Sequence, residues 1–401
     1  MKYVWSMICV LMMAVTALAA DWPNWRGPNH NGISQETGWL DRWPEQGPPI
    51  AWQAEVGVGF SAVSVSGGRL FTMGHGDGQD TVYCFDAVSG KPIWSHSYQA
   101  ALGDVLFEGG PTATPAVDGD RVYTLSRWGD VYCFETGTGK VLWSKNIAKE
   151  VEAEQPAWGF SGSPLVHGDV LVLTIGGAGT ALNKKTGETV WQSDRAAAGY
   201  STPLPFQRGG AWYVLVSSGR AYTAVNPRDG KELWSQRWLT QYGVNAADPI
   251  VNGNEVFLST GYNKGAVLLD TTDPKPTVLW QNRNMRNQMN SSILIDGHIY
   301  GIDGDQHLKA ELRCLDWKTG DKRWSFPDSG CGSLMAADGK LIVLSDQGEL
   351  FIAPAAPDSF EPTARAQVLR GKCWTVPVLA NGFIYCRDAK GKLVAVDVRK
   401  K

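Results

Sequence analysis

The side chains best placed to do chemistry in this chain cluster just ahead of a set of short extended segments. Those segments open on polar or aromatic residues: Phe60-Ser61, Phe160-Ser161, Tyr200-Ser201, Asn245, Asn290-Ser291 and Trp374-Thr375. Asp248 and Glu108 are nearby carboxylates, able to ligate a hard cation through oxygen. Trp158 and Trp374 offer flat rings on which a planar ligand could stack. The residues singled out as cofactor-binding candidates are therefore Trp158, Asn245, Asp248, Asn290 and Trp374. The plainer alternative is that the same groups solvate a channel and hydrogen-bond strand ends. No residue is assigned a catalytic or metal-ligating role. The six histidines (His30, His75, His96, His167, His298 and His307) contain no H-E-x-x-H and no close pair, so zinc is not expected. Gly159-Phe160-Ser161-Gly162-Ser163 falls one glycine short of a nucleophile elbow. Gly74, Gly76 and Gly78 alternate between strands with no helix to follow, which reads as a turn and not a phosphate cradle. Arg283, Arg286 and Asn287 form a basic, polar segment just before an inner strand, which reads as a solvated loop, with an anion-attracting place at the channel mouth as the alternative.

An internal repeat positions these residues. From Thr112 to Ser144 the chain spells four short strands separated by Asp118-Gly119, Trp128-Gly129-Asp130 and Thr136 to Gly139, which is the pattern of an antiparallel meander. The unit recurs, each copy closing on an aromatic: Trp52, Trp94, Trp143, Trp191, Trp234, Trp280 and Trp324, with Leu369 taken for the eighth place. Successive closing residues lie 42 to 49 apart, the period of a four-stranded propeller blade at about 40–50 residues. A sheet of four short strands cannot bury both faces alone, so the large rings are expected to fill the wedges between neighbouring blades. Lys392 to Val398 matches a third strand and then stops, and the missing fourth strand is present far upstream at Pro49 to Gln53. The fold expected is therefore all-β: an eight-bladed β-propeller of four-stranded antiparallel blades, closed by pairing of an N-terminal strand with the C-terminal blade.

Composition agrees. The 401 residues include 46 glycines and 18 tryptophans, the signature of turn-rich, aromatic-packed β structure. Lys plus Arg number 37 against 40 Asp plus Glu, so nucleic acid is not an expected partner. Lys2, the apolar run Val4 to Leu18 and Ala17-Leu18-Ala19 read as an export signal with its cleavage site. The apolar run is shorter than the ~20 residues a spanning helix needs, and Cys9 sits inside it, not where a lipid anchor would require. The organisation expected is a signal over 1–20, an extension over 21–48 lying across one face, and a single propeller over 49–401. Export permits disulfides. Cys84, Cys133 and Cys314 occupy one point of three repeats and read as buried apolar residues, whereas a Cys331–Cys373 bridge stays open.

The run Tyr83-Cys84-Phe85-Asp86-Ala87-Val88-Ser89-Gly90-Lys91-Pro92-Ile93-Trp94, and its counterpart from Tyr132 to Trp143, resembles the PQQ enzyme repeat of quinoprotein dehydrogenases and of the outer-membrane assembly factor BamB. The opening Asp21-Trp22-Pro23-Asn24-Trp25-Arg26-Gly27-Pro28 resembles the start of a group of exported PQQ-binding-like propellers. In the dehydrogenases the resemblance implies PQQ and calcium at the centre, stacked on an adjacent cysteine pair. No such pair occurs here, and the long insertions of the enzymes are absent. The shared residues are packing and turn residues, so the resemblance speaks to fold more than to function. The reading preferred is a periplasmic or secreted monomer without a cofactor, binding protein or small-molecule partners through its face and loops. The alternative is a PQQ-dependent alcohol dehydrogenase with calcium.

Overall fold

The structure is a computed structural model that describes residues 20–44, 46–104, 106–306 and 309–400. The segment from Lys2 to Ala19, expected to be an export signal, and His307 lie outside the described residues. Eight antiparallel sheets, each supplying four strands of the repeat, succeed one another around a ring. Blades 1 to 7 span 64–99, 116–146, 165–192, 204–237, 250–282, 293–326 and 333–367. Blade 8 combines Val378–Ala380, Phe383–Arg387 and Lys392–Asp397 with the upstream strand Ile50–Glu55. That strand pairs antiparallel with Lys392–Asp397, Ile50 opposite Val396 and Glu55 opposite Lys392, so the chain's two ends close the ring as the repeat arithmetic requires.

Local chemistry explains the hairpins. The inner turns at Asp296-Gly297, Asp338-Gly339 and Asn381-Gly382 place two consecutive residues at positive φ, the type I′ geometry that Asp-Gly and Asn-Gly tolerate best. On the outer strands a bulge falls just before the closing tryptophan in seven blades, for example between Val141 and Trp143 and between Lys322 and Trp324. The bulge skips one residue and re-aims the next. The skipped residue is turned to solvent, which accounts for exposed Ile93, Leu142, Val190 and Leu279. The re-aimed indole reaches the following blade. Its Nε1 donates to a backbone carbonyl there: Trp52 to Ala87 (3.0 Å), Trp94 to Thr136 (2.8 Å), Trp143 to Lys184 (3.2 Å) and Trp191 to Pro227 (2.8 Å).

The glycine of the receiving turn lies flat on that ring. A Cβ on Gly139 (φ 72°) would stand 2.6 Å from the Trp94 indole. Gly139→Ala should therefore cost about 2–4 kcal/mol, from left-handed backbone plus overpacking. Gly137→Ala, in the same loop with open space around it, should cost far less. Denaturant midpoints of the two variants check this.

Two blades depart from the pattern. Blade 5 has Asp270-Thr271-Thr272-Asp273 in place of the glycine turn, and the Nε1 of the preceding blade's fully buried Trp234 has no hydrogen-bond partner. In blade 7 the outer strand Ala364–Gln367 pairs without a bulge, and its register puts Ala364 opposite Ile352, where blade 6 has Trp324 opposite Cys314. The eighth closing position is thus Ala364. Leu369, expected there, lies beyond the strand. No ring from blade 7 fills the wedge toward blade 8. The N-terminal extension fills it instead: Trp39, with Leu40 and Trp43, joins Ala364 and the blade 8 residues Phe383, Ile384 and Val396 in one apolar cluster. The Trp43 Nε1 donates to the Arg365 carbonyl (3.1 Å), and the Leu40 amide donates to the Val398 carbonyl (2.6 Å).

The same extension runs across the ring. Trp22 exchanges two backbone hydrogen bonds with Val65 of blade 1, and the Pro23 carbonyl accepts from the Val117 amide of blade 2. Farther on, Ile33–Ser34 adds as a parallel fifth strand to Ser333–Ala337 of blade 7. Between these contacts, Trp25 enters the central channel and Arg26 is buried beside it. The six described cysteines are all buried and free, Cys331 and Cys373 included.

Candidate functional site

The residues just ahead of the innermost strands converge on the ring axis and line a funnel of about 770 Å³, within the range of small-ligand sites. One wall is Phe60, Phe107 and Trp374: Phe60 stacks on Trp374 (centroids 5.5 Å, 25°) and meets Phe107 at 5.7 Å. The lining continues with Trp158 against Tyr200 (6.0 Å, tilted) and Tyr242 edge-on to Tyr262 (5.3 Å). Burial pushes the Tyr200 phenol up to about 12 and raises that of Tyr262, so both keep their protons at neutral pH.

Trp25 is the floor. It lines the funnel and also a small pocket beyond, shared with Trp22, Arg26 and Gly32. Its indole donates to Asp248 Oδ2 (2.5 Å), which also accepts from Ser291 Oγ (3.1 Å), while Oδ1 accepts from the Thr202 amide (2.8 Å). The Arg26 Nε lies 4.0 Å from Oδ2, and its guanidinium donates to the Ser292 carbonyl (2.7 Å). Burial pushes the Asp248 carboxyl up and the Arg26 guanidinium down, as expected for a charge pair taken out of water. His30 completes this clamp. Burial, then the Arg26 charge, lowers its imidazole to about 4, against 6.5 in a free chain. The unfolded chain therefore takes up this proton first, and stability is lost as pH falls from 6.5 through 4, by roughly 2–3 kcal/mol from this group. Thermal melts between pH 7 and pH 4 should show that decline. It should be shallower in His30→Asn, which tolerates the left-handed backbone (φ 53°) at this position.

Four of the five residues singled out from sequence, Trp158, Asp248, Asn290 and Trp374, line the funnel. Asn245 does not. It is fully buried and acts as a strut, with Nδ2 donating to the Ser218 and Trp238 carbonyls. Asn290 is anchored too, its amide donating to the Gly332 carbonyl (2.6 Å). Glu108 is outside the lining and pairs with Lys372 at 2.8 Å. Arg286 forks onto Asp303 (2.9 and 2.7 Å), tying the basic segment into blade 6. Sequence reasoning missed Trp25, Tyr242, Tyr262 and Gln288. The one signal for the last three was their place in loops entering or leaving inner hairpins.

A sequence profile described as outer membrane protein assembly factor BamB matches residues 36–111 and 106–326. The chain belongs to this BamB-type PQQ-repeat family. Among solved structures, BamB from Moraxella catarrhalis superposes with a TM-score of 0.65 at 14% identity, over 87% of this chain and 99% of that one. Quinohemoprotein alcohol dehydrogenase from Comamonas testosteroni gives 0.69 at 14%, over 95% and 81%. The computationally designed Ika8 protein gives 0.62 at 12%, over 88% and 100%. No curated protein matches by sequence. Identities this low carry the BamB-type fold and nothing finer. No helix among the described residues is long and apolar enough to cross a membrane.

The dehydrogenase neighbours raise the question of PQQ with calcium. A tricarboxylate quinone calls for cationic partners, and calcium calls for several unsaturated oxygen ligands. The described lining contains no Lys, Arg or His, and its carboxylates are Asp248, which already accepts from three donors, and Asp305. No cluster of three His, Cys, Asp or Glu occurs among the described residues. The described residues do not fit that group.

Proposed function

We propose that this BamB-type propeller is an exported, monomeric binding protein, with a rigid ring as scaffold and the axial funnel as its ligand site. One observation carries the reading: an aromatic funnel whose lining includes a tryptophan clamped by a buried carboxylate. Such a site offers apolar area and a few fixed polar groups without a group poised for chemistry. The funnel mouth, where Leu106 and Tyr242 stand exposed, supplies a surface for protein partners, as suits a relative of an assembly factor. Export rests on the signal read at the N-terminus.

The test is a thermal-shift panel of neutral, cationic and anionic small molecules on the mature protein, beside a titration with PQQ and calcium. Stabilisation by a neutral compound, abolished by Trp158→Ala, is expected. Stoichiometric PQQ binding with alcohol-dependent dye reduction would instead make this a quinoprotein dehydrogenase and overturn the proposal.

A further inference from the structure

The ligand class follows from the groups that face the funnel and the way they are held. Anions are disfavoured, because the described lining has no cationic side chain and an uncompensated charge in an aromatic cavity is costly. Organic cations are disfavoured for a different reason. The Lys372 ammonium already sits 4.2 Å from the Trp374 ring centroid and the Arg127 guanidinium 5.4 Å from that of Phe107, so two of the rings that could cage a cation are engaged by one. Arg127 is buried behind this wall and held there, its guanidinium donating to the Trp158 carbonyl (3.0 Å).

The remaining polar lining is dominated by groups that both donate and accept. Gln241, Asn263, Gln288, Asn290 and Gln306 bring amides, and Ser161 and Thr202 bring hydroxyls. A neutral ligand rich in hydroxyls matches that set, since each hydroxyl also donates and accepts. The aromatic walls ask for a second feature, a flat apolar face. A pyranose ring has both: one C–H face and a hydroxyl rim.

The backbone supplies independent support. In the turn Gly261 to Lys264, closed by the Lys264 amide on the Gly261 carbonyl (3.0 Å), Tyr262 (φ 54°) and Asn263 (φ 59°) are both left-handed. Elsewhere among the described residues every such pair has glycine at its second place, as in Arg26-Gly27, Gly67-Gly68, Asp77-Gly78 and Asn381-Gly382. Here a tyrosine takes the first place and lines the funnel, its hydroxyl accepting from Gln288 Nε2 (3.3 Å). Leu106, at the rim, is left-handed as well (φ 65°). Strained non-glycine residues gathered on one lining point to a ligand and not to fold stability.

We infer that the funnel binds a neutral saccharide, one pyranose stacking its C–H face on Trp158 and the hydroxyl rim meeting Asn263, Gln288 and Asn290. This rests on the funnel being a ligand site at all. The experiment is a titration of the full mature chain with maltotriose, cellotriose and triacetylchitotriose, followed by tryptophan fluorescence and calorimetry, with tetramethylammonium and indole as comparison probes. Saturable binding of at least one trisaccharide is expected, weakened about tenfold by Trp158→Ala. Asn263→Gly should separate the two roles of its turn: the melting temperature holds, since asparagine and glycine both accept the left-handed backbone, while saccharide affinity falls. A trisaccharide that binds equally well to both variants places the sugar elsewhere and overturns the assignment. Binding of indole or tetramethylammonium with no saccharide response sinks the saccharide assignment and leaves the ligand site standing. If no probe binds, both readings fail.

Discussion

Asp248→Ala is expected to be the most damaging single substitution near the ring axis, lowering stability by about 3–5 kcal/mol. Four groups lose their acceptor or counter-charge at once: the Trp25 indole, the Thr202 amide, the Ser291 hydroxyl and the Arg26 guanidinium. Arg26 and Thr202 are buried, so water cannot readily take the carboxylate's place. Asp248→Asn keeps one acceptor oxygen but removes the charge opposite Arg26, and an intermediate loss is expected. Urea midpoints give the stability change. Tryptophan emission gives a second readout, because release of Trp25 from its clamp should shift the spectrum to the red. A variant that unfolds at the parent midpoint with parent emission would show that the extension is held by its strand pairings alone.

Trp52→Ala is the second large effect, about 3–5 kcal/mol. Trp52 is 8% exposed, whereas Trp191 is only half-buried. It packs on Phe85 of blade 1 (6.2 Å) and Tyr385 of blade 8 (5.8 Å), with its Nε1 on the Ala87 carbonyl. Because it stands on the strand that closes the ring, its loss should loosen blade 8 before the rest. The same junction is stitched by Arg387, whose buried guanidinium donates to the Ser61, Met73 and Gly57 carbonyls and is lowered by burial to about 10. Trp52→Ala should cost more than Trp191→Ala, and limited proteolysis should cut first near 368–376, between blades 7 and 8. Equal losses for the two tryptophans would show that closure adds nothing to the wedge contact.

The ring was legible because its devices are local. A glycine turn, a bulge and a tryptophan fall within one repeat, and each leaves a residue type that physics makes hard to replace. Misreading came where a device was supplied from far away. Blade 7 has Ala364 at the closing position, so the pattern pointed to the next large apolar residue, Leu369; the compensating Trp39 and Trp43 lie more than 300 residues upstream. The Trp25–Asp248 contact spans 223 residues and has no periodic trace. Asn245 looked like its neighbours because a polar residue ahead of an inner strand can face the axis or tie down a loop, and sequence does not distinguish the two. The left-handed pair at Tyr262-Asn263 could not be foreseen, since the usual marker of that geometry is glycine.

The pairing of Ile50 with Val396 sets the order in which this molecule can assemble. Blades 1 to 6 contain only neighbouring strands and can form as the chain emerges. Ile50–Glu55, made early, finds no partner until the last strand, Lys392–Asp397, is available. Closing so long a loop carries a large entropy cost, and contacts this distant in sequence slow folding. Until then the strand presents an unpaired edge, so the chain is at its most aggregation-prone just before completion. The slowest folding phase should report blade 8, and a circular permutant that begins at blade 1 and carries the closing strand at its C-terminus should fold faster to the same ring.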